Sequence, residues 1–144
     1  MGFIDQNINV HNVYAKMKKD RPAGEISGAG DIAGTPAWRL REPAAGDGPA
    51  VFDLIARCPP LDANSRYCNL LQCSHFAATS IIAVAAANGA ALGFVSGYRI
   101  PDRPDTLFVW QVAVDPAARG QGLALRLLHN LLARSGLADI RFLE

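Results

Sequence analysis

Arg119, Gly120 and Gly122 stand at the junction between a β-branched apolar run and an apolar run of helical period. The stretch reads Val109-Trp110-Gln111-Val112-Ala113-Val114-Asp115-Pro116, then Ala117-Ala118-Arg119-Gly120-Gln121-Gly122-Leu123-Ala124. The first run suits a strand, the Pro and Gly residues a turn, and the leucines after Gly122 one face of a helix. The first N–H groups of a helix have no intrahelical partner and carry partial positive charge. Glycines beside them remove the Cβ atoms that hold an anion away, and Arg119 adds a planar cation whose fork matches phosphate oxygens. The chemistry available to this spacing is the grip of a diphosphate.

Residue types exclude two other phosphate-binding turns. The nucleotide P-loop places Lys and then Ser or Thr after its last glycine, where this chain has Leu123-Ala124. The dinucleotide turn needs a glycine where Arg119 stands. The pattern Arg119-x-x-Gly122-x-Ala124 resembles [QR]-x-x-G-x-[GA], the coenzyme A diphosphate signature of GNAT acyltransferases, and Val112-x-Val114-x-Pro116 before it strengthens the match.

The bulk properties narrow the classes further. The chain has 144 residues, half of them apolar, enough for one packed core. A net charge of +1 points to neither nucleic acid nor an anionic membrane as partner. Cys58, Cys68 and Cys73 form no C-x-x-C, and Cys73 with His75 cannot complete a zinc site, so no metal is expected. The simplest reading is reduced, mostly buried thiols in a cytoplasmic protein. The N-terminus lacks the apolar core of a signal peptide, and Asn88-Gly89 interrupts the apolar run from Ile81 to Val95.

The elements that must position the turn follow from punctuation and period. Residues 1–36 read as a flexible leader, rich in Gly, Ala and Ser from Gly24 to Thr35, with a short helix conceivable near Val10 to Lys18. The folded domain, residues 37–144, opens on a strand at Trp38-Arg39-Leu40-Arg41. Asp47 is placed to cap a helix whose face is Val51, Leu54, Ile55 and Cys58, stopped by Pro59-Pro60. After the polar loop Leu61-Asp62-Ala63-Asn64-Ser65, Asn64 or Ser65 can cap a second helix through Tyr67, Leu70, Leu71 and His75. Strands are expected over Thr79–Ala85, Ala91–Ile100 and Thr106–Val114, the first two joined by the turn signal Asn88-Gly89. The helix after Gly122 should bury Ala124, Leu127, Leu128 and Leu131 and end at Gly136, with a last strand over Asp139–Glu144. The class is therefore α/β or α+β, an antiparallel meander feeding a terminal β–α–β unit in a mixed, mostly antiparallel sheet flanked by helices.

That order resembles the GNAT fold from about Trp38 to Glu144. Three stretches are similar to one branch of the superfamily, the diaminobutyrate acetyltransferases. They are Cys58-Pro59-Pro60-Leu61-Asp62-Ala63-Asn64-Ser65-Arg66-Tyr67, Phe94-Val95-Ser96-Gly97-Tyr98, and Leu107-Phe108-Val109-Trp110-Gln111-Val112-Ala113-Val114. The resemblance implies transfer of acetyl from acetyl-CoA to the 4-amino group of L-2,4-diaminobutyrate, a step toward the compatible solute ectoine made under salt stress. It also implies a homodimer. GNAT domains continue after the fifth strand with a further helix and two strands, and that helix often carries a tyrosine that protonates the leaving thiolate. The sequence stops before that point and so reads as an incomplete domain.

The resemblance also assigns roles to residues. Val112, Ala113, Val114, Arg119, Gly120, Gln121, Gly122, Leu123 and Ala124 match the coenzyme A-binding segment, with the backbone N–H of Val112 or Ala113 stabilising charge on the acetyl oxygen. Asp62, Asn64, Tyr67, Trp110 and Glu144 are the candidates for holding a diamine, and Glu144, on the fifth strand and facing the fourth, is also a candidate catalytic group. Each has a plainer alternative. Asp62 and Asn64 can cap a helix, Tyr67 and Trp110 can pack in the core, and Glu144 can be a solvated chain end. Trp110 and Gln111, as neighbours on a strand, should face opposite sides. The competing functions are acetylation of another small amine, an amino acid or a peptide N-terminus, and an acetyl-CoA-binding fragment without turnover.

Overall fold

The computed structural model describes Ile8–Asn9 and residues 38–144. The first strand, β1 (Ile8–Asn9), lies within the expected leader, and the helix expected near Val10 to Lys18 falls outside the described residues. The elements that follow are β2 (Trp38–Arg41), α1 (Gly48–Ala56), α2 (Arg66–Ser74), β3 (Ile81–Ala85), β4 (Ala91–Ile100), β5 (Arg103–Val114), α3 (Leu123–Leu132) and β6 (Phe142–Leu143). Among the described residues the strands form one sheet of six in the order β1-β6-β5-β4-β3-β2. Every pairing is antiparallel except β5 with β6, which are parallel and joined through α3. The expected mixed, mostly antiparallel sheet is present, with one more strand than the five read from the sequence.

Each face of the sheet carries its own core. On one side α3 buries Leu123, Leu127 and Leu131 against Ile81, Ala83, Val95 and Leu107. On the other, α1 buries Val51, Leu54 and Ile55, and Cys58 just past its end continues the face expected from their spacing, against Ile82, Val84, Phe94 and Ala113. The burial of α3 is rotated slightly from expectation. Leu123 and Leu132 are buried, while Ala124 and Leu128 are half-buried at the rim.

Several boundaries differ from the sequence reading: β5 begins earlier, at Arg103, the last strand is confined to Phe142–Leu143 so that Glu144 lies just past it, and three more differences have local reasons. Asp47 precedes α1, but its carboxylate turns back to accept from Ala44 N–H at 2.7 Å and from Arg41 at 2.7 and 2.8 Å, so it does not cap the helix. Strand β3 begins at Ile81 because residues 77–79 form a 3₁₀ turn, whose Ala77 and Ala78 carbonyls accept, as Ser80 does, from the Arg134 guanidinium. Helix α3 ends at Leu132, before Gly136, which lies in the next 3₁₀ turn. There the Gly136 carbonyl accepts from Arg99, which also pairs with Asp139.

Helix α2 turns a largely polar face inward. Its buried residues are Asn69, Gln72 and Cys73, while Tyr67 is 68% and Leu70 39% exposed. Tyr67 is therefore not a core residue. The cap is Ser65, whose hydroxyl accepts from Cys68 N–H at 3.1 Å, which leaves Asp62 and Asn64 without a capping role.

Candidate functional site

The turn between β5 and α3 is built by its own residues. Asp115 caps the 3₁₀ turn at 116–118 by accepting from Ala117 N–H at 2.9 Å, and its other carboxylate oxygen accepts from Arg57 at 3.1 Å. Gly120 and Gly122 both have positive φ, at 77° and 71°, and a Cβ on either would point into open space. These are backbone conformations that other residues enter only with strain, and they leave room beside the helix start. Gly122 immediately precedes α3, so the unpaired N–H groups and the positive end of the helix dipole open onto that room.

A cavity of about 470 Å³ occupies this position. It is lined by Val112, Val114, Arg119, Gly120, Gly122, Leu123 and Ala124, seven of the nine residues assigned to coenzyme A from the sequence. Ala113 and Gln121 are absent from the lining. Ala113 packs into the opposite core, and the Gln121 side-chain oxygen is buried without a partner among the described residues. The far wall, Cys58-Pro59-Pro60-Leu61, was not foreseen. Its one legible trace was Pro59-Pro60, which ends α1 and turns the chain under β5.

Arg119 is held by its strand. Its Nε donates to the Val114 carbonyl at 3.1 Å, an oxygen that also accepts from Cys58 Sγ at 3.3 Å. Arg119 makes no salt bridge with a carboxylate among the described residues. The guanidinium is anchored at one nitrogen and lines a cavity at a helix N-terminus, an electrostatic environment for a phosphate group.

Strand β5 borders the same cavity through Val112 and Val114. Asp115 N–H donates to the Leu92 carbonyl at 2.8 Å, Phe94 faces Ala113 and Gly93 faces Val114. Bonded pairs alternate along an antiparallel ladder, so Ala113 N–H points at β4 while the N–H groups of Val112 and Val114 point away from it. This removes Ala113 from the two candidate donors and leaves Val112. On that outer side Val109 N–H donates to the Glu144 carbonyl at 2.7 Å.

A register shift interrupts β5 beside the cavity. Ser96 faces Gln111 but Gly97 faces Val109, leaving Trp110 as an extra residue. The bulge resets the side-chain alternation, since Val109 and Val112, three residues apart, both pack toward the α3 core. Gly97 sits against it so closely that a Cβ would lie 2.5 Å from the Phe108 carbonyl oxygen. Trp110 and Gln111 consequently do not face opposite sides as expected; both lie on the α2 side. Trp110 is 46% exposed with its ring edge-on to Tyr98, and Gln111 is 7% exposed.

Gln111 ties this bulge to the loop before α2. Asn64 Nδ2 donates to Gln111 Oε1 at 2.8 Å, which ties the predicted residue Asn64 to the strand position next to the predicted Trp110 through a residue, Gln111, that carried no assigned role. Asp62 and Tyr67 flank Asn64 and are exposed. Glu144 is not brought there. Its carboxylate pairs with Arg103, at the start of β5, at 2.7 Å and so turns away from Val112. The thiols offer no nucleophile: desolvation pushes Cys73 up to about 12 and raises Cys68, and Cys58 is buried with its Sγ on the Val114 carbonyl.

Comparison with known proteins bears on this geometry. Residues 49–142 match the model of the acetyltransferase (GNAT) family. The L-2,4-diaminobutyric acid acetyltransferase of Methylotuvimicrobium alcaliphilum is 59% identical over 115 residues, covering 79% of this chain and 65% of that protein. The one from Vibrio parahaemolyticus is 51% identical over 107 residues, covering 74% and 58%. The structure of diaminobutyrate acetyltransferase EctA from Paenibacillus lautus, in complex with its substrate L-2,4-diaminobutyric acid and coenzyme A, superposes with a TM-score of 0.71. It is 40% identical and covers 75% of this chain and 64% of that one. The chain thus spans between about 58 and 65% of these relatives' lengths. The match over 49–142 takes in the bulged strand, the glycine turn and α3, and the chain belongs to the acetyltransferase (GNAT) family.

Proposed function

We propose that this protein transfers the acetyl group of acetyl-CoA to the 4-amino group of L-2,4-diaminobutyrate. The observation that carries the reading is the adjacency of two half-sites on one bulged strand. Val112 and Val114 line the glycine-turn cavity, and Gln111, next to Trp110, holds Asn64 of the loop before α2. The similarity to diaminobutyrate acetyltransferases supports the choice of acceptor.

The chain's residues divide the work. Gly120, Gly122 and the first N–H groups of α3 receive the diphosphate, with Arg119 as counter-charge. Bound acetyl-CoA supplies an activated thioester acyl group. Val112 N–H stands ready to donate to the acetyl oxygen as negative charge develops there, a role for which a backbone donor needs no reorganisation. The 4-ammonium must first give a proton to solvent, because an alkyl ammonium with a pKa near 10 is not a nucleophile at neutral pH; the free amine then adds to the thioester carbon, and the C–S bond breaks to release the coenzyme A thiolate, which takes up a proton. Asp62 offers a carboxylate to one ammonium group of the diamine, and Asn64 and the Trp110 face orient its chain. Glu144, paired to Arg103, has no part in this reading. We infer further that the product is the precursor that cyclisation turns into ectoine, and that the protein works as a cytoplasmic homodimer in osmotic protection.

An acceptor panel tests it. Thiol release from acetyl-CoA is followed with L-2,4-diaminobutyrate, 2,3-diaminopropionate, ornithine, lysine and a peptide N-terminus. A kcat/KM for diaminobutyrate at least tenfold above every other acceptor is expected. Preference for a peptide or for a longer diamine contradicts the acceptor, and coenzyme A binding without thiol release contradicts turnover.

A further inference from the structure

We infer that the ion pair between Arg57 and Asp115 is a brace that sets the spacing of the two cavity walls, a role that rests on the reading above that this cavity takes coenzyme A. One wall is the turn Cys58-Pro59-Pro60-Leu61 past the end of α1, closed by Leu61 N–H donating to the Cys58 carbonyl at 3.0 Å. The other is the end of β5 with the glycine turn, including Val112, Val114, Arg119, Gly120 and Gly122. Arg57 immediately precedes the first wall, and Asp115 follows β5 within the second. The Nε and Nη2 atoms of Arg57 both lie 3.1 Å from Asp115 Oδ2. Neither residue lines the cavity itself.

Each link from this pair to the walls is a direct bond. Asp115 is fixed from three sides. Its N–H donates to the Leu92 carbonyl at 2.8 Å, its Oδ1 accepts from Ala117 N–H at 2.9 Å, and its Oδ2 meets Arg57. The 3₁₀ turn at 116–118 that it caps runs directly into Arg119 and Gly120. On the other side Cys58, next to Arg57, donates through Sγ to the carbonyl of Val114, next to Asp115, at 3.3 Å. Two adjacent residues of one wall thus hold two adjacent residues of the other. The same Val114 carbonyl accepts from Arg119 Nε at 3.1 Å, so the cross-tie reaches the guanidinium that lines the cavity. A thiol is a weak donor, which leaves the ion pair as the stronger tie. Its side chains are 49% and 16% exposed, too open for the pair to add much to folding. Its effect is on placement. Without it the Pro59-Pro60 turn is held to β5 by the Cys58 thiol and by the packing of Leu61 on the α1 core. Arg57 and Asp115 are therefore positioning residues.

The sign of one substitution separates a brace from a direct counter-charge. Asp115→Asn keeps an oxygen for Ala117 N–H but loses the charge that holds Arg57. If Arg57 were itself a phosphate ligand, removing Asp115 would free it and take a negative charge from an anion site, so coenzyme A would bind more tightly. A brace predicts weaker binding. Calorimetric titration with coenzyme A should show Arg57→Gln and Asp115→Asn each binding about 3- to 10-fold more weakly than the parent. The double variant should fall within about twofold of the weaker single one, because the tie is already broken. Arg57→Lys should recover part of the loss, KM for L-2,4-diaminobutyrate should stay within about twofold, and Tm within about 3 °C. Equal or tighter binding in Asp115→Asn overturns the inference, as do losses that multiply in the double variant. A lowered Tm with equal rises in both KM values marks a packing role and overturns it as well. If the parent acetylates no diamine, the functional reading fails by itself and the coenzyme A titrations still decide the brace; a parent that binds no coenzyme A overturns both.

Discussion

Replacing Gly122 separates backbone strain from charge at the cofactor turn. The φ of 71° at Gly122 lies in the left-handed region, where an L-residue is disfavoured by roughly 1–2 kcal/mol and Asn and Asp least of all. A Cβ there meets nothing within 4 Å, so neither Gly122→Asn nor Gly122→Asp should lower stability by more than about 1 kcal/mol. The two variants differ in one formal charge. A carboxylate about 5 Å from a phosphate charge, at an effective dielectric near 40, is repelled by roughly 1.7 kcal/mol per unit charge. Against the two charges of a diphosphate this approaches about 3 kcal/mol, or on the order of 100-fold in Kd. Calorimetric titration with coenzyme A should therefore show Gly122→Asp binding about 30- to 150-fold more weakly than Gly122→Asn, with the gap narrowing in high salt. Equal affinities for the two variants, with Tm values equal as well, would mean that no diphosphate sits at this turn.

Four further outcomes follow from the same geometry. Arg119→Lys keeps the charge but loses the Nε bond to Val114, so coenzyme A should bind about 3- to 20-fold more weakly while free diamine affinity stays constant; the opposite pattern in titrations would place Arg119 on the acceptor side. Asp62→Asn removes only a charge, and because Ser65 is the cap, Tm should hold while kcat/KM for diaminobutyrate falls about 5- to 150-fold, a loss of roughly 1–3 kcal/mol; full activity removes Asp62 from the site. The Arg41 guanidinium holds the Asp47 carboxyl below its ordinary 3.8, so its stabilising contribution is complete above about pH 4 and disappears as pH falls through the folded value. Acid titration of Tm should be shallower in Asp47→Asn than in the parent, and identical curves would deny the pair any contribution. With Cys73 pushed up to about 12 by burial, alkylation of the native protein at pH 8 should reach the half-buried Cys68 first, and early labelling of Cys73 on peptide mapping would contradict its placement.

The parts of the fold set by short-range rules were readable from residues alone. The spacing of Val51, Leu54, Ile55 and Cys58 gave the buried face of α1, and Asn88-Gly89 gave the β3–β4 turn, where Gly89 has a φ of 72°. The glycine turn was readable because its two positive-φ positions admit few other residues. What could not be read depends on partners distant in sequence. Helix α2 turns Tyr67 and Leu70 outward and buries Asn69 and Gln72, a choice that its own spacing does not show. The bulge at Trp110 leaves no mark in a run where nearly every residue is apolar, so Trp110 and Gln111 were assigned to opposite faces. Arg103 and Glu144 meet across β5 and β6, and no local pattern announces a pair so far apart in sequence. Asn64 and Trp110 were nominated by resemblance, but Gln111, which ties Asn64 to the strand position next to Trp110, was visible only in three dimensions.

The most direct test of the account is the structure of the product. Incubation with acetyl-CoA and L-2,4-diaminobutyrate, followed by NMR of the purified acceptor, should show a single acetyl group on the 4-amino nitrogen. Its formation should depend on both substrates and be slowed at least fivefold by Gly122→Asp at a coenzyme concentration that just saturates the parent. Acetyl on the 2-amino nitrogen, on both nitrogens, or on neither would contradict the assignment of the Asp62–Asn64–Trp110 side of the cleft to this diamine.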